Sequence, residues 1–360
     1  MPSFNIIKKC EPKRTFRVES VIGTFDLGTE KTEEIFSGEF DFPEKWSIGL
    51  IVGNSGTGKT TIAKELFPDA YFNGFNYHSE SILDDMPDDR SVEDITKTFN
   101  SVGFSSPPSW LKPYSVLSNG EKMRVDIARC LLSNEPLFVF DEFTSVVDRK
   151  VAKISSFAVQ KAIRKNSGKK MIAVTCHFDV IDWLLPDWIF NTNDMSFKVI
   201  SKKKRPGIKW EIFEIKQNKN EWWDMFARYH YLNHNFNRAA RVFVGVVEGS
   251  IAAFCSVLPF PHPKVKNRWR GHRTVVLPDY QGIGLGGKIS EFVGDLLKSE
   301  GKILISTTSN PAMIATRLLS DKWVLTHFGR KSTGSTTGIQ NKFKLGSTSA
   351  LRITASFAYK

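Results

Sequence analysis

The sequence has few cysteines, and their positions exclude both a disulfide framework and a zinc site. The four lie far apart, at Cys10, Cys130, Cys176 and Cys255, whereas either kind of site requires cysteines at paired spacings. No run of 18 or more apolar residues occurs, so a membrane-spanning helix is excluded. Residues 1–14 also lack the apolar core of a signal peptide. We therefore expect a protein of the reducing cytoplasm that has no membrane partner.

Acidic residues are scarce in the second part of the chain. Residues 1–205 hold 28 Lys and Arg against 28 Asp and Glu, while residues 206–360 hold 22 against 10. The change follows a basic run at 202–205 and a helix-breaking proline, which we interpret as a solvated linker rather than a targeting signal. A length of 360 residues suits two domains. The sequence thus predicts one domain at 1–205 and a second, basic domain at 206–360.

A glycine-rich segment fits a phosphate-binding loop rather than an ordinary turn. It follows the apolar run 48–52, precedes a predicted helix at 60–67, and fills every fixed position of G-x-x-x-x-G-K-[ST]. Backbone N–H groups of such a loop and the positive end of the helix converge on phosphates. We predict an ATP site in which Lys59 neutralises phosphate charge and Thr60 binds Mg²⁺. Its ATP-binding residues are Gly53, Asn54, Ser55, Gly56, Thr57, Gly58, Lys59, Thr60 and Thr61.

Two further apolar runs end in residues suited to ATP hydrolysis. The run 137–140 ends in Asp141 and Glu142, and a carboxylate at the tip of a buried strand is costly unless it is paired or near a metal. We predict that Asp141 binds Mg²⁺ and that Glu142 polarises the attacking water. The run 171–175 precedes His177, which is either a polar strand end or the residue that senses the γ-phosphate and holds the water.

The segment Ser118-Asn119-Gly120-Glu121 allows two interpretations. Ser118 with Glu121 three residues later makes a capping box at the start of a helix. The same stretch resembles the signature loop of ATP-binding-cassette (ABC) ATPases, and residues 145–148 resemble their D-loop. In that family the signature loop of one subunit covers the ATP on the other subunit's P-loop. The resemblance therefore implies a homodimer with two ATPs in its interface, bound in part by Ser118, Gly120 and Glu121.

The sequence departs from the ABC pattern in two places. The family's Q-loop glutamine should lie between P-loop and signature, but the first glutamine of the chain is Gln160, so that role is absent or taken by another residue. The signature reads Ser-x-Gly-Glu-Lys, which is more similar to DNA-associated ABC ATPases of the structural-maintenance-of-chromosomes and recombination-protein type than to transporters. The stretch 61–117 is short and acidic, which indicates a trimmed helical subdomain.

A second glycine loop lies in the basic half, between a predicted strand at 274–277 and a predicted helix at 289–297. The dinucleotide fingerprint G-x-G-x-x-G fails at the required spacing, which argues against a Rossmann domain. The loop instead resembles the [QR]-x-x-G-x-[GA] motif of GNAT-fold (GCN5-related) acyltransferases, with Gln281, Gly284 and Gly286 in the matching places. The resemblance implies that acetyl-CoA, or another acyl-CoA, is bound by Val275, Val276, Leu277, Gln281, Gly282, Ile283, Gly284, Leu285, Gly286, Gly287 and Asn310.

An acyltransferase also needs a base for the attacking amine and an acid for the leaving thiolate. The candidate bases are His230, Asp279 and His234, and the candidate acids are Tyr231 and Tyr280. A buried aromatic face with hydrogen-bonded histidines explains His230 and His234 equally well. Tyr229-His230-Tyr231 is also faintly similar to a histidine–tyrosine pair of phage Mom-type enzymes, which modify adenine in DNA.

Basic residues that alternate with one aromatic precede the second loop. They are Lys264, Lys266, Arg268, Arg270, His272 and Arg273, around Trp269. This excess of charge with an exposed aromatic favours a nucleic-acid partner over a merely solvated loop.

The motifs together predict an α/β protein in which a P-loop ABC ATPase domain precedes a GNAT domain. This order resembles a family of bacterial and phage fusion proteins, which would place a phage-encoded chain in the host cytoplasm. The expected function is ATP-driven dimerisation coupled to acyl transfer onto an amine, with DNA or RNA as the acceptor. The alternatives are a non-catalytic nucleic-acid clamp and an ATP-gated N-acetyltransferase of proteins or small molecules.

Overall fold

The computed structural model describes residues 3–10, 13–26, 32–166, 168–201, 207–230, 234–330 and 353–360. The predicted linker at 202–206, the candidate acid Tyr231 and a serine-, threonine- and glycine-rich tail at 331–346 lie outside these ranges. The chain forms two compact units, neither continuous in sequence. The first consists of residues 1–74, 134–146 and 163–205, and the second of residues 75–133, 147–162 and 206–360. The predicted domain boundary at 205/206 stays a prediction.

The helices and strands follow the apolar patterns of the sequence. The strands are β1 (Ser3–Cys10), β2 (Thr32–Glu39), β3 (Ile48–Val52), β4 (Leu137–Phe140), β5 (Lys170–Thr175), β6 (Trp188–Asn191), β7 (Ser196–Val199), β8 (Trp210–Ile215), β9 (Arg241–Val247), β10 (Ser250–Pro259), β11 (Arg268–Val276), β12 (Ile303–Thr308), β13 (Trp323–Arg330) and β14 (Ile353–Tyr359). The helices are α1 (Phe16–Phe25), α2 (Lys59–Leu66), α3 (Val92–Ser101), α4 (Pro107–Trp110), α5 (Asn119–Leu132), α6 (Arg149–Lys165), α7 (Val180–Leu184), α8 (Lys219–Ala227), α9 (Leu285–Ser299) and α10 (Pro311–Leu318).

The first unit is built on a five-stranded sheet with the order β4-β5-β3-β6-β7. The first four strands in that order are parallel to their neighbours, and β7 is antiparallel to β6. Every residue of β3 is buried, as expected for a parallel strand covered on both faces. An aromatic cluster around Phe40, Trp188 and Phe190 fills the core beside this sheet. The predicted strands at 48–52 and 137–140 are confirmed.

The second unit is built on a seven-stranded sheet with the order β13-β14-β12-β11-β10-β9-β8. Its core joins residues that are distant in sequence, because Ile154 of α6 packs in the same buried cluster as Ile289 and Val293 of α9. Strands β11 and β12 are parallel, and their pairing covers only Arg268–Arg270 against Ile303–Ile305. From Gly271 onward β11 therefore pairs with β10 alone, which leaves one strand edge open.

None of the helices in the described ranges combines the length and the apolar character needed to cross a membrane.

Candidate nucleotide and acyl-CoA sites

The predicted ATPase residues of the first unit meet at one edge of its sheet. Strands β3, β4 and β5 are parallel neighbours, so the segments after their carboxyl ends lie along the same edge. These segments carry Gly53 after β3, Asp141 after β4 and His177 after β5. Parallel topology thus assembles three separate motifs, as in other open α/β sheets that bind ligands beyond their strand ends.

Close packing fixes the shape of the P-loop. Gly58 has φ +81°, and a Cβ there would lie 2.5 Å from the Phe36 ring, so only glycine fits. The Nζ of Lys59 donates to the Asn54 carbonyl at 2.7 Å, which holds the ammonium group over the loop. The Asn54 N–H donates to Oδ1 of Asn193 at 2.8 Å. The loop is therefore preorganised, with Lys59 positioned to pair with an anion that enters it.

Asp141 accepts hydrogen bonds on both carboxylate oxygens. Oδ2 accepts from the Thr60 hydroxyl at 2.7 Å and from the Tyr71 hydroxyl at 2.5 Å, and Oδ1 accepts from the Glu142 N–H at 2.8 Å. The two predicted Mg²⁺ ligands, Thr60 and Asp141, are therefore adjacent, and hard oxygen donors of this kind suit Mg²⁺. Burial and the bond to Asp141 raise the pKa of Tyr71, so its hydroxyl stays a donor.

Tyr71 was not predicted from the sequence as a site residue. It reaches the site because it forms a parallel bridge with Val139 of β4, two residues before Asp141. The Phe72 N–H donates to the Val139 carbonyl at 2.9 Å and secures this bridge. Nothing in the local pattern around residue 71 indicates the pairing.

The turn after β4 turns Glu142 outward. Glu142 and Thr144 have φ of +52° and +66°, a region that non-glycine residues adopt at an energetic cost. The Phe143 N–H donates to the Val174 carbonyl of β5 at 2.9 Å and holds the turn. The Glu142 side chain is exposed, and its role in polarising water stays a prediction. The half-buried His177 donates its N–H to the Thr175 hydroxyl at 3.2 Å.

The signature segment of the second unit is also a capping box. Ser118 caps α5, its Oγ accepts from the Glu121 N–H at 3.3 Å, and Glu121 Oε2 accepts from the Ser118 N–H at 3.0 Å. Glu121 Oε1 accepts from the Ser109 hydroxyl at 3.0 Å. Ser118 is exposed and Gly120 is buried. The capping box leaves the exposed end of the loop available, so the two interpretations of this segment are compatible.

The second glycine loop begins after a short turn at Pro278–Tyr280 and leads into α9. The Gln281 side chain joins it to two other segments, because Oε1 accepts from the Ser105 N–H at 2.7 Å and Nε2 donates to the Val276 carbonyl at 3.0 Å. A Cβ on Gly282 would lie 2.6 Å from Cβ of Ala158, whereas one on Gly284 would meet open space. One side of the loop is therefore covered and the other is accessible at the start of α9.

A slot of about 120 Å³ lies where β11 and β12 separate. Its walls come from the open edge of β11, from the end of β12 and the chain that leads into and along α10, from residues 105–107 and from residues 229–230. Of the predicted acyl-CoA residues, Val275, Val276, Gln281 and Asn310 line it. Leu277 is turned away, because its N–H donates to the Ala252 carbonyl at 2.9 Å. The slot therefore adjoins the glycine loop, and the acyl-CoA roles of these residues stay predictions.

The candidate bases and acids are not equally placed. His230 lines the slot, is 7% exposed, and packs edge-on against Trp223. The described residues that line the slot do not include Asp279, Tyr280 or His234. Burial raises the pKa of Asp279, although Arg124 opposes the shift. Tyr280 packs against the apolar core. The geometry therefore favours His230, and the catalytic roles remain predictions.

His272, a member of the basic run, also lines the slot. Its Nε2 accepts from the Asn237 N–H at 3.3 Å. Burial, together with Arg273 and Arg270, lowers its pKa to about 4, so the ring is neutral at pH 7. A base with so low a pKa is weak, and the accepting nitrogen is engaged. His272 is better suited to donate a hydrogen bond than to take a proton.

The expected exposed aromatic of the basic run is instead half-buried. Trp269 packs against the core, with Lys302 Nζ 4.7 Å from its ring centroid, because alternation along β11 turns it inward. Arg268 and Arg270 both lie over the Phe260 ring, at 5.4 Å and 5.3 Å. Lys264, Lys266 and Arg270 are exposed. The surface is basic, but Trp269 does not offer a free face for stacking.

Comparison with known proteins finds one family match in each part of the chain. The ABC transporter family matches residues 65–145, which include the signature segment and Asp141. The acetyltransferase (GNAT) family matches residues 208–319, which include the second glycine loop.

Three relatives illustrate the extent of the likeness. The energy-coupling factor transporter ATP-binding protein EcfA of Malacoplasma penetrans is 23% identical over 225 residues, covering 49% of this chain and 73% of that protein. The mRNA export factor elf1 of Schizosaccharomyces pombe is 32% identical over 141 residues, covering 37% of this chain but only 12% of that protein. The solved ribosomal-protein-S18-alanine N-acetyltransferase of Escherichia coli covers 42% of this chain and 93% of its own, with 19% identity and a TM-score of 0.32.

The fold and the matches define a mixed α/β protein that combines a P-loop ATPase-like domain with an acyltransferase-like domain. More particularly, the chain carries an ABC-type ATPase domain on its N-terminal side and a GNAT acetyltransferase domain on its C-terminal side. These domains imply ATP with Mg²⁺, and acyl-CoA, as the classes of ligand.

Proposed function

We propose that the protein is a cytoplasmic, ATP-dependent acyltransferase that works as a homodimer and modifies amines of nucleic acid. Two chains close on two ATPs, with Ser118 and Gly120 of each chain facing the P-loop of the other. The exposed Ser118 and the preorganised P-loop support this arrangement. Glu142 then polarises the attacking water and His177 orients it. Mg²⁺, held by Thr60 and Asp141, would neutralise charge on the phosphates.

Acyl transfer takes place in the slot beside β11, and this slot is the observation that carries the proposal. The acyl-CoA thioester lies along the open edge of β11, and its pyrophosphate lies on the N–H groups at the start of α9. The amine nitrogen attacks the thioester carbonyl and forms the C–N bond, while His230 takes the amine's proton. The C–S bond breaks, and the CoA thiolate leaves and takes up a proton. The products are an amide and free CoA.

The basic surface supports nucleic acid as the acceptor. The charge excess of the second part of the chain, 22 basic against 10 acidic residues, exceeds what one CoA would use. Lys264, Lys266 and Arg270 are exposed beside β11, and cations of this kind bind phosphate backbones. The faint similarity to Mom-type enzymes also stays a prediction, because Tyr231 lies outside the described residues.

Arg124 supports coupling between the two activities. It lies on α5, the helix that Ser118 caps, and is fully buried. Nη1 donates to the Pro278 carbonyl at 2.9 Å and Nη2 to the Asp279 carbonyl at 3.3 Å. Arg124 thus connects α5, by hydrogen bonds, to the turn that leads into the second glycine loop. A displacement of α5 when ATP is bound would be transmitted to that loop.

Mass spectrometry of nucleosides tests the proposal. The full chain is incubated with acetyl-CoA, DNA or RNA oligonucleotides and Mg-ATP, and CoA release is followed with a thiol reagent. We expect one acyl group added to a nucleoside amine, and a rate lowered 10²- to 10⁴-fold in His230→Gln. An acyl group found only on polypeptide would show instead that the chain is an N-acetyltransferase of proteins. Tight DNA binding without any turnover would assign the non-catalytic clamp.

A further inference from the structure

The connection between α3 and α4 and the first residue of α4 form a wall of the proposed acyl-CoA slot, although they lie in the stretch that the ABC family matches. Residues 105–107 line the slot together with β11 and the start of α10. Two contacts hold them there. The Ser105 N–H donates to Gln281 Oε1 at 2.7 Å, and a Cβ on Gly103 would lie 2.8 Å from the Gln281 carbonyl oxygen, so the segment packs directly on the acyl-CoA loop.

Ser106 stands out within this wall. It occupies the N-cap position of α4, where a serine side chain usually accepts from the first turn of the helix, yet it makes no such bond. The residue is 3% exposed, and its Oγ has no hydrogen-bond partner among the described residues. A buried hydroxyl that is left unsatisfied destabilises a protein, and each case requires an explanation such as a missing water or ligand. Ser106 lines the slot, so a ligand there can provide the partner.

We propose that the Ser106 hydroxyl is a binding residue for the pantetheine arm of acyl-CoA, so that the ABC part of the chain completes the acyltransferase site. The inference rests on the proposed acyltransferase function. We assign Ser106 to the pantetheine arm because of where residues 105–107 lie in the slot. Ser105 touches Gln281, at the end of the slot next to the glycine loop, where the arm leaves the pyrophosphate. The pantetheine arm carries amides, whose carbonyl and N–H groups can each pair with a hydroxyl.

The test is a binding titration of the full-length protein with acetyl-CoA and with CoA, for the wild type and two variants. Ser106→Ala removes the hydroxyl. Ser156→Ala is the matched control, because Ser156 also has a buried hydroxyl without a partner among the described residues, but does not line the slot. We expect Ser106→Ala to raise Kd about five- to tenfold for both ligands, which is the usual effect of one hydrogen bond. Ser156→Ala should bind like the wild type.

The remaining outcomes separate the inference from the function on which it rests. If the wild type binds acetyl-CoA and Ser106→Ala binds it equally well, the inference is wrong while the acyltransferase proposal stands. If Ser106→Ala weakens acetyl-CoA but not CoA, the hydroxyl contacts the acyl group, and the assignment to the pantetheine arm is overturned. If the wild type binds neither ligand, both proposals fail. A larger side chain, Ser106→Leu, should fill the slot and abolish binding, with circular dichroism showing that the variant is folded.

Discussion

The hydroxyl of Tyr71 donates to Oδ2 of Asp141 at 2.5 Å, the same oxygen that accepts from Thr60. Tyr71 therefore orients the carboxylate that we assign to Mg²⁺. We expect Tyr71→Phe to raise the Mg²⁺ concentration for half-maximal ATP hydrolysis at least tenfold, because groups that orient metal ligands typically contribute that much to affinity. The measurement is ATPase rate against Mg²⁺ at saturating ATP.

Tyr77→Phe is the control for this prediction. It removes a hydroxyl that donates to a different carboxylate, that of Asp126, at 2.7 Å, and should leave the Mg²⁺ dependence unchanged. Equal Mg²⁺ curves for Tyr71→Phe and the wild type would contradict the role of Tyr71.

Glu142→Gln should reduce ATP hydrolysis 10²- to 10⁴-fold while ATP still binds, because the amide cannot polarise water as a carboxylate does. The variant should accumulate as an ATP-bound dimer, seen as an earlier peak in gel filtration with Mg-ATP. Glu135→Gln changes another exposed glutamate and should hydrolyse ATP like the wild type. A Glu142→Gln protein that binds ATP and elutes as a monomer would rule out the two-ATP dimer.

Arg124→Lys should abolish the response of acyl-CoA turnover to ATP. A lysine ammonium cannot reproduce the fork of donors with which Arg124 reaches Pro278, Asp279 and Ser155. The measurement is the rate of CoA release with and without Mg-ATP, after circular dichroism has shown that the variant is folded. Arg129→Lys, on the same helix but bonded to the Asn76 carbonyl, should keep the response. An intact ATP response in folded Arg124→Lys would disprove the coupling route.

Protonation of His272 should destabilise the fold in mild acid. The folded pKa is lowered from 6.5 to about 4, so between these values the unfolded chain binds a proton that the folded chain does not. The stabilisation is therefore complete above pH 6.5 and is lost as the pH falls through 4. We expect the urea midpoint of the wild type to fall more between pH 7 and pH 5 than that of His272→Gln. A variant in which the exposed His262 is replaced by glutamine is the control. Its urea midpoint should fall between pH 7 and pH 5 as much as that of the wild type.

Local patterns were enough to predict the elements that carry both glycine loops. Strands β3 and β4 have the predicted bounds, because each is an apolar run of strand length that is followed directly by glycine or carboxylate residues. The helix predicted at 289–297 begins four residues earlier, at Leu285. The prediction omitted the first turn because this turn contains Gly286 and Gly287, and glycine is a poor helix former.

Two site residues, Tyr71 and Ser106, could not be predicted from the sequence because tertiary contacts place them. Tyr71 reaches Asp141 through its bridge to Val139, and Ser106 reaches the slot because Ser105 and Gly103 both contact Gln281. Neither pairing leaves a periodic signal. The exposed aromatic expected in the basic run is wrong, because Trp269 packs against the core of its sheet.

The core around Ile154 determines where the chain can be truncated. This isoleucine is 1% exposed and packs with residues of β9, β10 and α9, while Arg124 is buried against the turn before Gln281. A polypeptide starting at residue 206 would lack both side chains and would present their apolar and carbonyl partners to water. The acetyltransferase domain therefore depends for its packing on residues that precede position 206.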